Sequence, residues 1–329
     1  PEHTSAVLND KKTDNAMLTV APYTPDKARL WDDFVKQSRN ATFLHLRDYM
    51  EYHNDRFTDA SVIIYDEKGK ITALLPANIS GDTVFSHGGL TYGGVLTASG
   101  TDVMTVCEIF TAIRRFYSAK GAKELIYKAI PTIYEKAPAQ EDRYALFLNK
   151  AEVIATNISS AICLTDTPAY NENTRRNIRK AIKEGISVVE SDDYENFHGI
   201  LSCLLESRYG ATPVHTLREM RHLARLFPGN IRLFSALKDG EAVAGTLLYV
   251  TDTVAHTQYI AANDTGKHCN ALSLVFDTVI KIAMADRKRY FDFGTCNEDG
   301  GLYLNTGLIR QKNGFGGRGI IYPTYRLLF

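Results

Sequence analysis

The pattern of apolar and polar residues repeats along the chain, and each copy predicts the same series of strands. Two apolar runs joined by a polar turn with one glycine predict a β-hairpin at 61–78 and another at 231–250. A short third strand follows each hairpin, at 83–87 and at 253–261. Both copies therefore contain three sequential strands, which predicts a sheet in each half of the chain.

An amphipathic helix and a further strand follow each set of three strands. The helices are predicted from about Val103 to Ala119 and from about Ala271 to Ala285. Their apolar faces consist of Val106, Ile109, Ile113 and Phe116 in the first copy and Leu272, Val275, Val279 and Ile282 in the second. The strands that follow are predicted at 124–130 and at 289–294.

The spacing between the copies is nearly constant along the chain. The turn glycines Gly69 and Gly240 lie 171 positions apart, and the helix starts Val103 and Ala271 lie 168 apart. Such even spacing indicates an internal duplication, the alternative being two unrelated α/β domains of similar order. Each half reads as α-α-β-β-β-α-β-α-β, a mixed sheet with helices on both sides, and the overall class is α/β (α+β mixed sheet).

A domain division follows from this duplication. We expect a disordered segment at 1–16, a first domain at 17–165 and a second at 166–329, joined near the turn Thr165-Asp166-Thr167-Pro168. A chain of 329 residues fits two such domains.

Composition narrows the class of partners. The chain has 38 basic and 38 acidic residues, so no overall field draws it to DNA or to an anionic membrane. Its five cysteines are scattered and form no CxxC or Cys/His cluster, so we expect reduced thiols and no metal. The first 15 residues lack the apolar run of a signal peptide, and the longest apolar run, 242–250, is too short for a transmembrane segment. The predicted location is cytoplasmic.

The last fifty residues carry the clearest candidate chemistry. The run Tyr290-Phe291-Asp292-Phe293-Gly294 predicts a buried strand that ends at a tight turn. Soon after it, Lys312 lies between Gly307 and Gly314. Ligands of open α/β sheets bind at the carboxyl ends of strands, and a cation on glycine-rich backbone suits a phosphate or a developing oxyanion. Lys312 is therefore the first catalytic candidate, the alternative being a solvated loop lysine.

The order of elements and four local segments resemble a known family. The segments are the basic helix at 175–186, the strand end Phe291-Asp292-Phe293-Gly294, the run Gln311-Lys312-Asn313-Gly314-Phe315-Gly316 and the glycine-rich run at 87–94. Together they resemble the tandem GNAT fold of the FemAB-like N-acyltransferases, a branch that includes peptidoglycan aminoacyltransferases, over residues 18–325. The resemblance implies two GNAT-like domains and an acyltransferase.

The donor site implied by the resemblance departs from the usual pattern. The segment before the second helix, which includes Gly266, Lys267, His268 and Asn270, has one glycine where a GNAT acetyl-CoA site carries two. It still offers backbone N–H groups at a helix N-terminus to a pyrophosphate. An acyl-CoA donor is therefore expected, and an aminoacyl-tRNA donor, as in FemAB-like enzymes, stays open.

The resemblance also implies a catalytic strand at 254–261 that separates from the last strand of the sheet. By strict alternation Tyr259 faces the acyl site, whereas His256 faces the opposite way and is expected to be a packed histidine. The segment at 208–216 is predicted to be a loop between helices of the second domain, and the resemblance implies that this region covers the acceptor site. His215 is therefore a candidate base, and Arg208 and Tyr209 are candidate substrate-binding residues.

Two further groups of polar residues are candidates. Glu298, in the turn after Gly294, is positioned to accept the amine proton, and its neighbour Asn297 to bind the acceptor, although acidic residues in such turns commonly only form the turn. Arg179 belongs to a stripe of up to five cations on one helix face. The stripe suits donor phosphates, a lipid-linked pyrophosphate or tRNA, the alternative being a solvated face.

These observations favour an N-acyltransferase that moves an acyl group from an acyl-CoA-type donor to an amine, with no metal. The expected acceptor is a small or lipid-linked amine on an amino sugar, amino acid or cell-envelope precursor. The alternatives are an aminoacyl-tRNA-dependent aminoacyltransferase, which would add tRNA as a partner, and a non-catalytic binding protein of the same fold. The zero net charge favours acyl-CoA over tRNA, and the missing glycine favours the binding protein.

Overall fold

The computed structural model describes residues 18–329, so the predicted disordered segment 1–16 lies outside the described residues. The described part of the first half has four α-helices and nine strands. In chain order they are β1 (Thr19–Pro22), α1 (Ala28–Gln37), α2 (Arg47–Met50), β2 (Thr58–Asp59), β3 (Val62–Tyr65), β4 (Ile71–Leu75), β5 (Asn78–Ser80), β6 (Thr83–Phe85), β7 (Leu96–Thr97), α3 (Val103–Ser118), β8 (Glu124–Lys128), α4 (Glu141–Leu148) and β9 (Glu152–Cys163).

The second half follows the same general order with longer strands. Its elements are α5 (Glu172–Lys183), β10 (Ser187–Ser191), α6 (Tyr194–Tyr209), α7 (Leu217–Leu226), β11 (Ile231–Lys238), β12 (Glu241–Val250), β13 (Val254–Ala262), α8 (Asp264–His268), α9 (Ala271–Ala285), β14 (Tyr290–Thr295), β15 (Asn297–Glu298), β16 (Tyr303–Leu304), α10 (Thr306–Gly314) and β17 (Arg318–Leu328). No helix in residues 18–329 is both long enough and apolar enough to cross a bilayer.

Local sequence accounts for where these elements begin and turn. Helix α3 begins after Asp102, whose carboxylate accepts a hydrogen bond from the backbone N–H of Thr105 at 2.8 Å. The β11–β12 hairpin turns at Asp239 and Gly240, which have φ of 53° and 86°, as a tight hairpin turn with two left-handed residues requires. The predicted second-half hairpin and both amphipathic helices are confirmed.

Most strands belong to one eleven-stranded mixed sheet with the order β10-β11-β12-β13-β14-β9-β17-β8-β6-β5-β2. The first-half hairpin is an exception, because β3 and β4 lie in a separate four-stranded sheet, β1-β3-β4-β7. Our prediction of one sheet in the first half was wrong at this point. Pro76 lies between β4 and β5, and its missing N–H interrupts the ladder, so that Asn78–Ser80 pairs with β6 instead.

The last strand of each half is shared between the two halves. Strand β9 lies between β14 and β17, and β17 lies between β9 and β8. The β9–β17 ladder runs from the pair Ala161–Arg318 to the pair Glu152–Arg326. Backbone hydrogen bonds therefore hold the two halves together, while the division into domains at 165/166 stays a prediction.

In the first half, the glycine-rich segment at 87–94 follows β6 and stays hydrogen-bonded to β8 beyond the parallel β6–β8 pair. Ser86 N–H donates to the Ile126 carbonyl at 2.9 Å, and Gly93 N–H donates to the Lys128 carbonyl at 3.1 Å. A Cβ at Gly93 would lie 1.5 Å from the Ser86 carbonyl oxygen, so only glycine fits. Within this segment, Thr91 extends towards the second half and lines the cavity described below.

Buried histidines make the stability of the fold depend on pH. His45 and His215 are 0% and 4% exposed, and burial lowers the pKa of each to about 4. The unfolded chain binds a proton at each position near pH 6.5, whereas the folded chain does so only near pH 4. We therefore expect the free energy of unfolding to fall as the pH drops from 6.5 to 4, by at most about 1.4 kcal/mol per pH unit for each histidine.

Urea unfolding at several pH values in this window tests the expectation. The double variant His45→Gln, His215→Gln should lose the part of the slope that these two histidines contribute, since glutamine does not titrate, while buried His87, whose pKa burial lowers to about 3, keeps its own part. An unchanged slope in the double variant would assign the acid sensitivity to other groups. Replacement of His222, which is exposed on α7, is the matched control and should leave the slope as it is.

Candidate active site

The sheet opens between two neighbouring strands of the second half. Strands β13 and β14 run parallel and pair from Val254–Tyr290 to His256–Asp292, and then separate. Beyond His256, the edge of β13 that faces β14 has no strand partner within residues 18–329. A cavity of about 540 Å³ occupies this gap, which we call the sheet cavity. Its lining includes Leu204, Leu205 and Arg208 of α6, Leu272 and Phe276 of α9, Lys312 of α10, and Thr91 of the first half.

A β-bulge at Gln258 changes which side chains share a face of β13. Thr257 pairs with Leu248, and Tyr259 pairs with the next residue, Leu247, so Gln258 has no partner on β12. His256 and Tyr259 consequently lie on the same face of the sheet. The prediction that they face opposite ways was wrong, because an extra residue in the strand shifts the alternation by one.

A second cavity of about 520 Å³ lies beside the first, and we call it the outer cavity. It is formed by the start of α5, by α8, by the N-terminus of α9 and by α10. The two cavities share Ala262, Lys267, Leu272 and Gln311 in their linings, so they adjoin along β13 and α10. One extended ligand has room to enter from outside and reach the gap in the sheet.

Three of the four predicted cofactor residues line the outer cavity: Gly266, Lys267 and Asn270. A Cβ at Gly266 would lie 2.3 Å from the Val243 carbonyl oxygen, so glycine is required for α8 to pack on β12. Asn270 precedes α9 with a φ of 55°. His268 does not line the cavity, and its carbonyl accepts a hydrogen bond from Nζ of Lys180 at 2.6 Å.

Lys312 lies on a helix and is buried. The segment that we expected to be a glycine-rich loop forms α10, because Asn305 caps it by accepting from the Leu308 N–H at 3.1 Å. Nζ of Lys312 donates to the carbonyls of Gly294 and Thr295 at 2.7 and 3.0 Å. Burial lowers the pKa of Lys312. An ammonium has three N–H groups; these two carbonyls hold two of them, and the side chain of Cys296 is a hydrogen-bond partner that raises the pKa and partly offsets burial.

Asp292, which our sequence analysis treated only as part of a strand, is the centre of a buried network. Its carboxylate is 0% exposed and accepts hydrogen bonds from His256 Nδ1 at 2.9 Å, Tyr322 at 2.5 Å, Tyr134 at 2.9 Å, the Gly294 N–H at 3.0 Å and the Ser159 hydroxyl. Burial alone would raise the pKa of Asp292, but His256 and these hydrogen bonds outweigh it and hold the pKa well below its usual range.

The structure brings His215 and Tyr259 together. The Tyr259 hydroxyl is 2.7 Å from Nδ1 of His215, and the hydroxyl of Tyr52, from the first half, is 2.9 Å from Nε2. Burial raises the pKa of Tyr259 to about 12 and lowers that of His215 to about 4. None of the three residues lines the sheet cavity. The group connects the two halves of the protein, and the catalytic roles of His215 and Tyr259 stay predictions.

The remaining predicted residues are spread over the surface and the cavities. Arg208 lines the sheet cavity from α6, and the backbone of Tyr209 follows it in the same helix. Arg179 is exposed and pairs with Glu172 at 2.6 Å. Glu298 is exposed on β15, away from both cavities. Its neighbour Asn297 accepts from the Ile158 N–H at 2.6 Å and donates to the Asn157 side chain at 2.7 Å, so its amide holds the β15–β16 hairpin against β9.

The arrangement suits transfer of a group between two molecules that meet at the gap. The side towards α9 and α10 is open to the outer cavity, and the side towards α6 adjoins the first half. Backbone N–H groups on the free edge of β13 and the ammonium of Lys312 can stabilise negative charge on a carbonyl oxygen. Within residues 18–329, no three side chains of the metal-binding types come together as a metal site.

Comparison with known proteins agrees with this geometry. Residues 170–300 match the family model described as the acetyltransferase (GNAT) domain. No curated protein matches the chain by sequence. The crystal structure of FemX is similar with a TM-score of 0.67 at 12% identity, and the match covers 94% of this chain and 97% of FemX.

Two further solved structures have the same fold over nearly their whole length. L-PGS from Bacillus licheniformis has a TM-score of 0.59 at 12% identity, with 92% of this chain and 91% of that chain covered. A tandem GNAT protein from the clavulanic acid biosynthesis pathway has a TM-score of 0.51 at 12% identity, with 94% and 98% covered. These values confirm the predicted tandem GNAT fold.

Proposed function

We propose, from the premise that this chain is an acyltransferase of the GNAT family with a FemAB-like tandem fold, that it transfers an acyl group from an acyl-CoA-type donor to an amine. The observation that carries the proposal is the gap between β13 and β14, which adjoins the outer cavity. An acyl thioester on a long flexible arm fits this path, because its head can bind outside while its carbonyl reaches the gap.

The outer cavity suits the phosphate-bearing end of such a donor. It lies at the N-terminus of α9, a helix of 15 residues, where Leu272 and Ser273 line it. The N-terminus of a helix favours anions. Lys267 on α8 and Arg310 on α10 add positive charge to the lining. We place the pyrophosphate of the donor here and the acyl carbonyl beside Lys312.

The acceptor would approach from the opposite side of the sheet. There α6 contributes Leu204 and Arg208 to the sheet cavity, and the first half contributes Thr91. A mixed apolar and basic lining suits an amine that carries both an anionic group and an apolar part, such as a lipid-linked or cell-envelope precursor, although a free amino sugar or amino acid would also fit. A location in the cytoplasm, where acyl-CoA is available, is part of the proposal.

Donor binding is tested by thermal unfolding with acetyl-CoA and longer acyl-CoAs. A ligand that binds only the native state raises the unfolding temperature with concentration, and at one hundred times its Kd it stabilises by about 2.7 kcal/mol. The variant Gln311→Trp should abolish the shift, because Gln311 lies where the two cavities adjoin. Its matched control is Asn313→Trp, on the same helix at an exposed position outside both linings.

Both variants should unfold at the wild-type temperature without ligand, since both positions are exposed. The expected result is a shift in the wild type and in Asn313→Trp, and none in Gln311→Trp. The absence of a shift with any thioester in the wild type would refute the acyl-CoA donor.

One observation favours a second candidate, transfer from aminoacyl-tRNA. Helix α5 begins beside the outer cavity with Asn173 and Thr174, and its exposed surface carries Arg175, Arg176 and Lys183. A row of cations next to the donor entrance suits an RNA backbone. Arg176 and Arg179 also bond to Asn173 and Glu172 of the same helix, at 2.6 Å in each case, so part of this charge is already satisfied.

Salt dependence separates the two donors. Binding of tRNA should weaken steeply with salt because counterions are released, whereas the thermal shift by acetyl-CoA should change little. The triple variant Arg175→Ala, Arg176→Ala, Lys183→Ala should reduce the salt dependence of tRNA binding. Binding that is equally weak in wild type and variant would exclude the tRNA donor.

A further inference from the structure

His256 occupies the point where the sheet opens. It is the last residue of β13 that pairs with β14, and its side chain lines the sheet cavity with 13% of its surface exposed. A Cβ at Gly294 would lie 3.4 Å from Cε1 of His256, and the Gly294 carbonyl accepts the hydrogen bond from Lys312. His256 and Lys312 therefore border the same end of the gap, on either side of Gly294.

The hydrogen bond to Asp292 determines the tautomer of His256. An ionised carboxylate only accepts hydrogen bonds, so Nδ1 of His256 carries the hydrogen that lies 2.9 Å from Asp292. Nε2 is then the basic nitrogen, and no protein atom of residues 18–329 is hydrogen-bonded to it. A carboxylate that orients an imidazole and leaves its second nitrogen towards a cavity is the arrangement of a general base.

We propose that His256 is the general base of the transfer reaction and that Asp292 is its positioning residue. Because a base is needed only to remove a proton, the acceptor is a protonated amine, and it reaches Nε2 from the α6 side of the sheet. The inference rests on the proposed function. It assigns this role to His256, which strict alternation along the predicted strand had placed on the face opposite Tyr259. Neither His215, buried against two tyrosines, nor exposed Glu298 borders the cavity.

The proton and bond changes balance with groups already named. The acceptor enters as an ammonium ion and gives one proton to Nε2 of His256, which releases it to solvent. The neutral nitrogen then forms a bond with the thioester carbonyl, whose oxygen takes up the negative charge. When the C–S bond breaks, the leaving thiolate takes the second proton of the amine. The products are an amide, a thiol and one proton.

The test compares His256→Gln, His256→Ala and Asp292→Asn with the wild type. Thiol release from acetyl-CoA is followed with glucosamine, lysine and ethanolamine as acceptors, and the thermal shift by acetyl-CoA is measured on the same samples. We expect kcat to fall about 100-fold or more in His256→Gln, with the donor shift retained. In Asp292→Asn, the amide can reverse the ring tautomer, so kcat should fall while donor binding remains. His222→Gln, at an exposed position of α7 outside the cavity, is the matched control and should match the wild type.

Imidazole added to His256→Ala provides a readout that a structural role would not move. It should restore part of kcat, since the truncated side chain leaves space beside Asp292. Wild-type turnover that persists in His256→Gln, or a loss in His256→Ala that imidazole does not restore, would overturn the assignment of the base. A wild type that binds acetyl-CoA but releases thiol with none of the amines would overturn the amine acceptor. No donor shift in the wild type would instead refute the proposed function itself.

Discussion

The variant Asp292→Ala is expected to lose about 3–5 kcal/mol of the free energy of unfolding. The carboxylate is fully buried and holds donors from five separate segments, which include Tyr134 of the first half, Ser159 of β9 and Tyr322 of β17. Alanine would leave these hydroxyl groups and His256 buried without their acceptor, and each unsatisfied donor costs about 1–3 kcal/mol. The same segments form the join between the halves, so the loss should affect the whole sheet.

Urea unfolding at neutral pH measures the effect. The pKa of Asp292 is held well below its usual range, so the carboxylate is ionised and its stabilisation is fully present at neutral pH; it is lost only on strong acidification. The matched control is Asp286→Ala, whose carboxylate is 45% exposed and pairs with Arg232 at 3.1 Å. A pair of this kind contributes about 1 kcal/mol or less. Equal losses in the two variants would contradict the role of Asp292 as the centre of the network.

The variant Lys312→Met is expected to lower kcat for thiol release from acetyl-CoA by about 100- to 1,000-fold, the usual effect of removing one donor to an oxyanion. Methionine fills most of the volume of the lysine stem but cannot stabilise negative charge. It also removes the hydrogen bonds to the Gly294 and Thr295 carbonyls, so a stability loss of about 1–3 kcal/mol should accompany the loss of activity.

Measurements of activity and of urea unfolding together separate the loss of catalysis from the loss of stability. Activity is measured at a temperature where urea unfolding shows that the variant is fully folded, so a residual deficit in kcat reports chemistry. Lys281→Met is the matched control, because Lys281 is 70% exposed and pairs with Asp277 on its own helix. Wild-type turnover in folded Lys312→Met would mean that the ammonium only anchors the turn after β14.

The repeated pattern of the sequence predicted the elements of the second half closely. Apolar residues at helical spacing placed α9 at 271–285, and two alternating runs around Asp239 and Gly240 placed the β11–β12 hairpin. These elements depend on short-range spacing and on turn residues, which a single sequence displays directly. The segment before α9 was selected as the donor site by the same kind of reasoning, since it follows a strand and precedes a helix, and its role stays a prediction.

The site was predicted less completely, for reasons that concern single residues. Lys312 was found by its glycine neighbours, but its helix was missed because the Asn305 cap was not recognised. His256 was assigned to the wrong face because nothing in the local sequence indicates the bulge at Gln258. The role of Asp292 was missed because the residue lies within an otherwise apolar predicted strand. An acidic residue at the centre of such a strand was the available signal, since a charge is buried only where partners satisfy it.

The sequence by itself therefore determined the order of elements and their repetition, because these follow from periodicities and turn residues within short segments of the chain, and the same order carried the resemblance to the tandem GNAT fold. Only the tertiary structure decided that β9 and β17 are shared between the halves and that β13 and β14 separate after His256. It also decided that Tyr134, Ser159 and Tyr322 meet at Asp292. Such contacts join positions up to 158 and 188 residues apart, as in the bonds of Tyr134 to Asp292 and to Tyr322, and no local pattern encodes which distant strand will supply the partner.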